Sequence, residues 1–437
     1  MEKKEYQQLD ETLYTETLPN GLKVTLLPKN EFHKTYALFT TNYGSIDNQF
    51  IPLGKSEMVT VPDGIAHFLE HKMFEKEDGD IFNTFGKQGA SANAFTSFTR
   101  TSYLFSSTSH VLENVATLLD FVQEPYFTKE TVDKEKGIIA QEIQMYDDEP
   151  DWRLFFGIIG NMYPLHPLHI DIAGTVDSIM DITAENLYES YETFYHPSNM
   201  NLLVVGKMDP TEMMEWIRQN QAKKDFPQAT DIVRHFPTET VSEIKAFDQI
   251  EMPVNRAKSI VGVKGVAPAP VGKAALVYKT TMNLLLSLLF GSTSENYLRL
   301  YNEGTIDDSF SYEFNLERTF HFVDVGGDAK DPKALSDAVK VILINAKTSP
   351  ELTQENLEMV KKRMIGSVLQ SLNSLEYIAN QYSQESYGEA SLFDLVPIIE
   401  AISLTEVVQL AENFMVPEHM SVFHIVPKGA SKAWNLL

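Results

Sequence analysis

The chain opens on short stretches in which apolar and polar residues alternate, the period of a strand. Residues 17–29, TLPNGLKVTLLPK, predict a hairpin, with Pro19, Asn20 and Gly21 as the turn and residues 22–27 as a strand. Residues 35–44, TYALFTTNYG, alternate as a second strand. The period then changes. In 61–75, VPDGIAHFLEHKMFE, the residues Ile65, Phe68, Leu69 and Met73 recur at helical spacing, and Asp63-Gly64 supply a start. Residues 79–90 predict a short helix ending in a Gly-rich turn, with Asp80, Asn83 and Lys87 outward. Residues 91–107, SANAFTSFTRTSYLFSS, rich in Thr, Phe and Tyr, predict one long strand. Period two would put Thr96, Phe98 and Arg100 on one of its faces and Phe95, Ser97 and Thr99 on the other. Helical spacing returns over 111–123 and 131–146, the second burying Val132, Ile138, Ile139 and Ile143. Helices are also predicted over 152–162, 183–194 with Thr183 as cap, and 210–221, and a buried strand over 201–206.

Residues 223–243 are polar, contain proline and show no clear period. Beyond them the order of elements recurs: a strand at 259–266, a long helical region at 273–302, strands within 310–326, helices over 332–346, 352–382 and 404–414, and a strand at 420–426. Residue identity between the halves is low, so the repeat is one of pattern. The prediction is an α+β protein of two structurally similar domains, each a mainly antiparallel sheet packed with helices. They occupy residues 1–222 and 247–437, joined by a linker over 223–246, and a length of 437 residues suits two such domains.

The candidate chemistry sits in the helix of 61–75. His67 and His71 are four apart and share a helical face, and Glu70 lies beside them in an H-x-x-E-H pattern. Two neutral imidazoles at that spacing can hold one zinc ion, and the carboxylate between them can reach a water bound to it. A third ligand belongs on another element. Glu135 and Glu142, two turns apart on the predicted helix of 131–146, face the same way, and the apolar run Gly137 to Ala140 between them carries Glu142 towards a buried region, where a carboxylate needs a partner. Residues alone leave both acids available. His166 and His169, separated by Pro167, cannot share one helix and are read as loop histidines.

HFLEH followed some seventy residues later by E-x6-E resembles the pitrilysin/insulinase family of inverzincin zinc peptidases, small bacterial processing-peptidase-like members included. The resemblance continues in NAFTSFTRTSY and FYHPSNMNLLVVG, and in the second half extends only to layout. It implies one zinc ion per chain held by His67, His71 and Glu142, with Glu70 as the base and Glu135 as a supporting acid. It implies a zinc metalloendopeptidase cutting extended peptides, which add to a sheet edge through backbone contacts at Ala92, Asn93 and Ala94. It further implies that the two domains form half of a clam-like chamber. In such families the closing half carries an Arg and a Tyr seven residues apart; here Arg299 is followed at that offset by Ile306, and Arg299 and Tyr301 read as ordinary helix residues. The implied partner is a related subunit supplying the pair, giving a heterodimer, with a homodimer as the alternative.

Composition narrows this picture. A formal charge of −25 argues against nucleic acid as a partner, and no apolar run reaches the ~18 residues of a membrane span. The first sixteen residues lack the apolar core of a secretory signal. With no cysteine the chain has neither disulfides nor a thiolate metal site, and a cytoplasmic location is expected. Two rival functions use the same features: a non-catalytic, metal-bearing subunit of a larger assembly, and a metal-free peptide-binding chaperone.

Overall fold

The computed structural model describes residues 1–77, 79–383, 388 and 390–429, which form two compact units. The first unit comprises Met1–Ile143, Ile170–Phe236 and Ser371–Glu385; the second comprises Gln144–His169, Pro237–Gln370 and Ser386–Leu437. The division therefore differs from a single cut near residues 223–246, because two helices pack away from their sequence neighbours. Pro150–Met162 lays Leu154, Ile158, Ile159 and Met162 against the Ala257–Lys264 and Met420–Pro427 strands, where Gly262 leaves no room for a Cβ beside Ile158 and Met162. Leu375–Tyr382 buries Leu375, Ile378 and Ala379 and packs on the Thr35–Thr41 and Met200–Gly206 strands.

Each unit is built on one sheet. In the first, seven strands lie in the order Glu2–Tyr6, Glu11–Thr17, Lys23–Pro28, Met200–Gly206, Thr35–Thr41, Thr101–Ser107, Ala90–Thr96. In the second, five lie in the order Phe247–Met252, Met420–Pro427, Ala257–Lys264, His321–Ala329, Ser311–Leu316. The repeat inferred from pattern is one of topology. In both units the last strand enters between the first of a set of five, to which it is parallel, and the second, to which it is antiparallel. The remaining pairs are antiparallel, and the third strand of the set lies at the edge. The fold is thus α+β with two similar domains.

Several expectations change. Residues 91–107 are not one strand but a hairpin of Ala90–Thr96 and Thr101–Ser107, with Thr96 opposite Thr101. The turn is closed by the Ser97 N–H to the Arg100 carbonyl, 2.8 Å, and the Ser97 and Phe98 carbonyls accept from the N–H groups of Ser45 and Ile46. Thr96, Phe98 and Arg100 therefore do not share a face. Gly44 permits the approach, since a Cβ there would meet the Phe98 carbonyl carbon at 2.4 Å. On Lys129–Asp147, Ile138 is exposed at 48%, while Val132, Ile139 and Ile143 are buried. The region 273–302 is two helices, Gly272–Phe290 and Glu295–Asn302, the second restarted by Ser294, whose side chain accepts the Tyr297 N–H. Glu2–Tyr6, largely exposed, and Phe247–Met252, at a sheet edge, carry too little buried apolar surface to be seen in the pattern. Among the described residues no single helix is long and apolar enough to cross a membrane.

One buried acid in the second sheet gives stability a pH dependence. Asp324, opposite Glu313 across the strand pair and bonded by Asn315 Nδ2 at 3.0 Å, is pushed up to about 8 by burial, with the Glu313 charge adding and the Asn315 bond opposing. An acid whose folded pKa is raised favours the native state while it stays protonated; that contribution is lost as pH rises from about 4, where the unfolded side chain ionises, through about 8. Asp324→Asn should match wild type in melting temperature at about pH 4 and exceed it by several degrees above pH 8, as calorimetry at the two values would show.

Candidate metal centre

The histidine helix, Ile65–Met73, begins at Gly64 with φ 84°, and a Cβ on Gly64 would stand 2.2 Å from the Ala173 carbonyl oxygen, so glycine is required where the chain turns into the helix. Phe68, Leu69 and Met73 are fully buried and anchor the helix in the core of the first unit. Its polar residues are enclosed as well: His67 and Glu70 are 9% and 8% exposed. Lys72, fully buried, finds the Glu75 carboxylate and the Thr131 carbonyl. Burial of so many polar groups on one short helix requires a partner for each.

For the histidines the partners come from Lys129–Asp147. Glu142 Oε1 lies 3.6 Å from His67 Nε2, and Glu142 Oε2 lies 3.5 Å from His71 Nε2. One ligand atom of each of the three residues lies within 4.8 Å of the others. Atoms each ~2.0–2.1 Å from one tetrahedral zinc stand about 3.4 Å apart, so the donor spacing matches such an ion, and two imidazoles with one carboxylate are a donor set zinc takes. Glu135 is placed differently. Its Oε1 is 3.0 Å from His71 Nδ1, on the far side of the ring, so it fixes the ring with Nε2 towards Glu142. The structure thus brings His67, His71 and Glu142 together and sets Glu135 against the other ring nitrogen of His71. His67 Nδ1 is buried without a hydrogen-bond partner among the described residues, an orphan that leaves this ring held by packing.

Charge follows from the surroundings. Burial, and then the neighbouring His71, hold His67 down at about 3, so its imidazole stays neutral with a lone pair to offer. Burial pushes Glu70 up to about 7, against the pull of His71 and the Thr96 hydrogen bond. A carboxylate near neutrality is suited to taking and returning a proton. Glu70 is itself oriented: Thr96 Oγ1 donates to its Oε2 at 2.9 Å. Sequence reasoning did not single out Thr96, because nothing in the spacing of Glu70 and Thr96 shows that strand and helix meet.

Thr96 ends the edge strand, Ala90–Thr96, which among the described residues pairs with Thr101–Ser107 on one side only. Ala92 and Ala94 turn towards the core, and Asn93 is exposed, its Oδ1 accepting the Ala94 N–H at 2.9 Å. His169 ends a short 3-10 turn, Pro167–His169, and His166 immediately precedes it: His166 Nδ1 accepts the Leu168 N–H, and His169 Nδ1 meets the His166 carbonyl at 2.7 Å. In the second unit Arg299 pairs with Glu303 on an exposed helix face, and Ile306 is buried in the core.

Residues 57–176 match the family model described as Insulinase (Peptidase family M16), and residues 181–364 match Peptidase M16 inactive domain. A Bacillus subtilis (strain 168) protein named as an uncharacterized zinc protease, YmfH, is 53% identical over 424 residues, 97% of this chain and 99% of its own length. The chain belongs to peptidase family M16. A crystal structure of a putative M16-like peptidase from Alicyclobacillus acidocaldarius superposes with a TM-score of 0.92 at 38% identity, covering 96% of this chain and 99% of that one. The periplasmic protease PqqL from Escherichia coli shares the fold, with a TM-score of 0.75 at 18% identity; the match spans 99% of this chain but 49% of PqqL. The H-x-x-E-H helix and both glutamates fall inside the first M16 match, and the second begins at residue 181, so it includes the last strand of the first sheet as well as most of the second unit.

Proposed function

We propose that this M16 chain is a zinc endopeptidase that hydrolyses extended peptides and works with a partner chain. The observation that carries the reading is the convergence of His67, His71 and Glu142 beside an acid, Glu70, whose carboxylate is held by Thr96. Zinc held by His67, His71 and Glu142 would supply Lewis-acid polarisation of the scissile carbonyl. Glu70 takes a proton from the attacking water as its oxygen bonds to the carbonyl carbon, and delivers that proton to the amine as the C–N bond breaks. Glu135 keeps the His71 ring in register. The open side of Ala90–Thr96 binds the peptide main chain as an added strand, through Ala92, Asn93 and Ala94, which favours unfolded segments whatever their side chains.

The partner rests on two observations. The chain corresponds to about half of PqqL, and its second unit offers Arg299 tied to Glu303 and a buried Ile306 where an Arg/Tyr pair for substrate is expected. A related subunit bearing that pair completes the site in this reading; a second copy of the chain is the alternative.

Metal analysis and peptide cleavage on the same preparation test the reading. The isolated chain should carry one zinc and cut an unstructured peptide slowly, and a related subunit should raise the rate at least tenfold. Zinc-loaded chain that cleaves nothing, with or without such a subunit, would leave the non-catalytic role standing. Full activity from the chain alone would remove the partner.

A further inference from the structure

We propose that Thr96 is a positioning residue for Glu70: the edge strand, through this one hydroxyl, aims the base. The inference rests on the peptidase reading and adds a residue to it. Three features of the geometry lead to it. First, the bond has one direction. In the ionised form that acts as a base the carboxylate only accepts, so Thr96 Oγ1 is then the donor in the 2.9 Å contact with Glu70 Oε2, and Oε1 is left as the oxygen to receive a proton. Second, among the described residues the hydroxyl has no better use for its hydrogen. Its other neighbour, Thr101 Oγ1, lies 3.4 Å away and donates to the Tyr43 carbonyl at 2.9 Å. Third, the groups are enclosed. Glu70 is 8% exposed, Thr101 is fully buried and Thr96 half-buried, so water does not readily replace a lost donor.

Thr96 also belongs to the strand whose open side is proposed to take the substrate main chain. The backbone that fixes the peptide and the hydroxyl that fixes the base are therefore parts of one seven-residue element. The oxygen that moves the proton is registered to the bound peptide and not merely to the metal. Reacting groups must be held to a fraction of an ångström, and misplacement by about 1 Å costs on the order of 10²-fold in rate.

The test compares Thr96→Val, which keeps the shape and removes the donor, with Thr96→Ser, which keeps the donor, in the full chain with its partner present. Thr96→Val should retain zinc and KM within about twofold and lose kcat by about 10–100-fold. Thr96→Ser should return to within about threefold of wild type. In a Glu70→Gln background, Thr96→Val should cost little more, because it acts through the carboxylate that is already gone. Multiplying losses in the double variant would overturn the proposal, as would loss of zinc from Thr96→Val or a raised KM at unchanged kcat. Crystallography separates this from the peptidase reading. Even if wild type cuts no peptide, a Thr96→Val crystal structure with the Glu70 carboxylate turned from its wild-type rotamer upholds the positioning role, and an unmoved Glu70 rejects it.

Discussion

Glu70→Gln should leave the zinc content of the purified chain at the wild-type value and lower kcat for an extended peptide by about 10²–10⁴-fold. The amide has the shape of the carboxylate and can still accept the Thr96 hydrogen, so the fold around it is kept. Glu70 is not among the three residues whose ligand atoms converge, so the metal set is untouched. What the substitution removes is the capacity to carry a proton, a loss felt in the transition state and not in binding, so KM should change little. Steady-state kinetics beside metal analysis of the same sample decide the matter. Wild-type turnover in this variant would rule out Glu70 as the base and with it the proposed chemistry.

The second large effect concerns the metal itself. His71→Ala and Glu142→Ala each remove one of three converging donors and should yield protein without zinc after dialysis against a weak chelator. Glu135→Ala should behave otherwise. It removes the acceptor on His71 Nδ1 and leaves all three donors, so zinc should bind about 10–100-fold more weakly and still be present when zinc is supplied in excess. The contrast is between abolition and weakening, and titration of zinc into the apo variants reads it directly. If Glu142→Ala held zinc like wild type and Glu135→Ala held none, the two acids would exchange roles, and the geometry given by the 3.5 and 3.6 Å contacts would not be that of the loaded site.

Local sequence determined much of this protein, because each feature it carries depends on neighbours a few positions away. Helical spacing of Phe68, Leu69 and Met73 places the histidine helix, and the i, i+4 relation of His67 and His71 puts both rings on one face of it. The i, i+7 relation of Glu135 and Glu142 does the same for the acids. Recurrence of the element order along the chain announces two similar sheets, and five strands of each follow one order.

Tertiary structure decided what depends on elements meeting. Two acids on one face are equivalent until the helix docks; the packing of Val132, Ile139 and Ile143 then brings Glu142 to the Nε2 atoms and Glu135 to Nδ1. The run of β-formers in 91–107 contains no Gly, Pro or central Asn to mark a turn, and its reversal at 97–100, closed between Ser97 and Arg100, is also held by the N–H groups of Ser45 and Ile46, some fifty residues away. The same reversal leaves Ala90–Thr96 at a sheet edge and sets Thr96 against Glu70. Helices Pro150–Met162 and Leu375–Tyr382 cross to the other unit for a like reason: an apolar stripe states that a helix will be covered but not by which sheet. Periodicity is a property of a segment, whereas which acid meets the imidazole Nε2 atoms, where the strand reverses and which hydroxyl reaches Glu70 are properties of pairs far apart in the chain, and only the folded packing brings those pairs together.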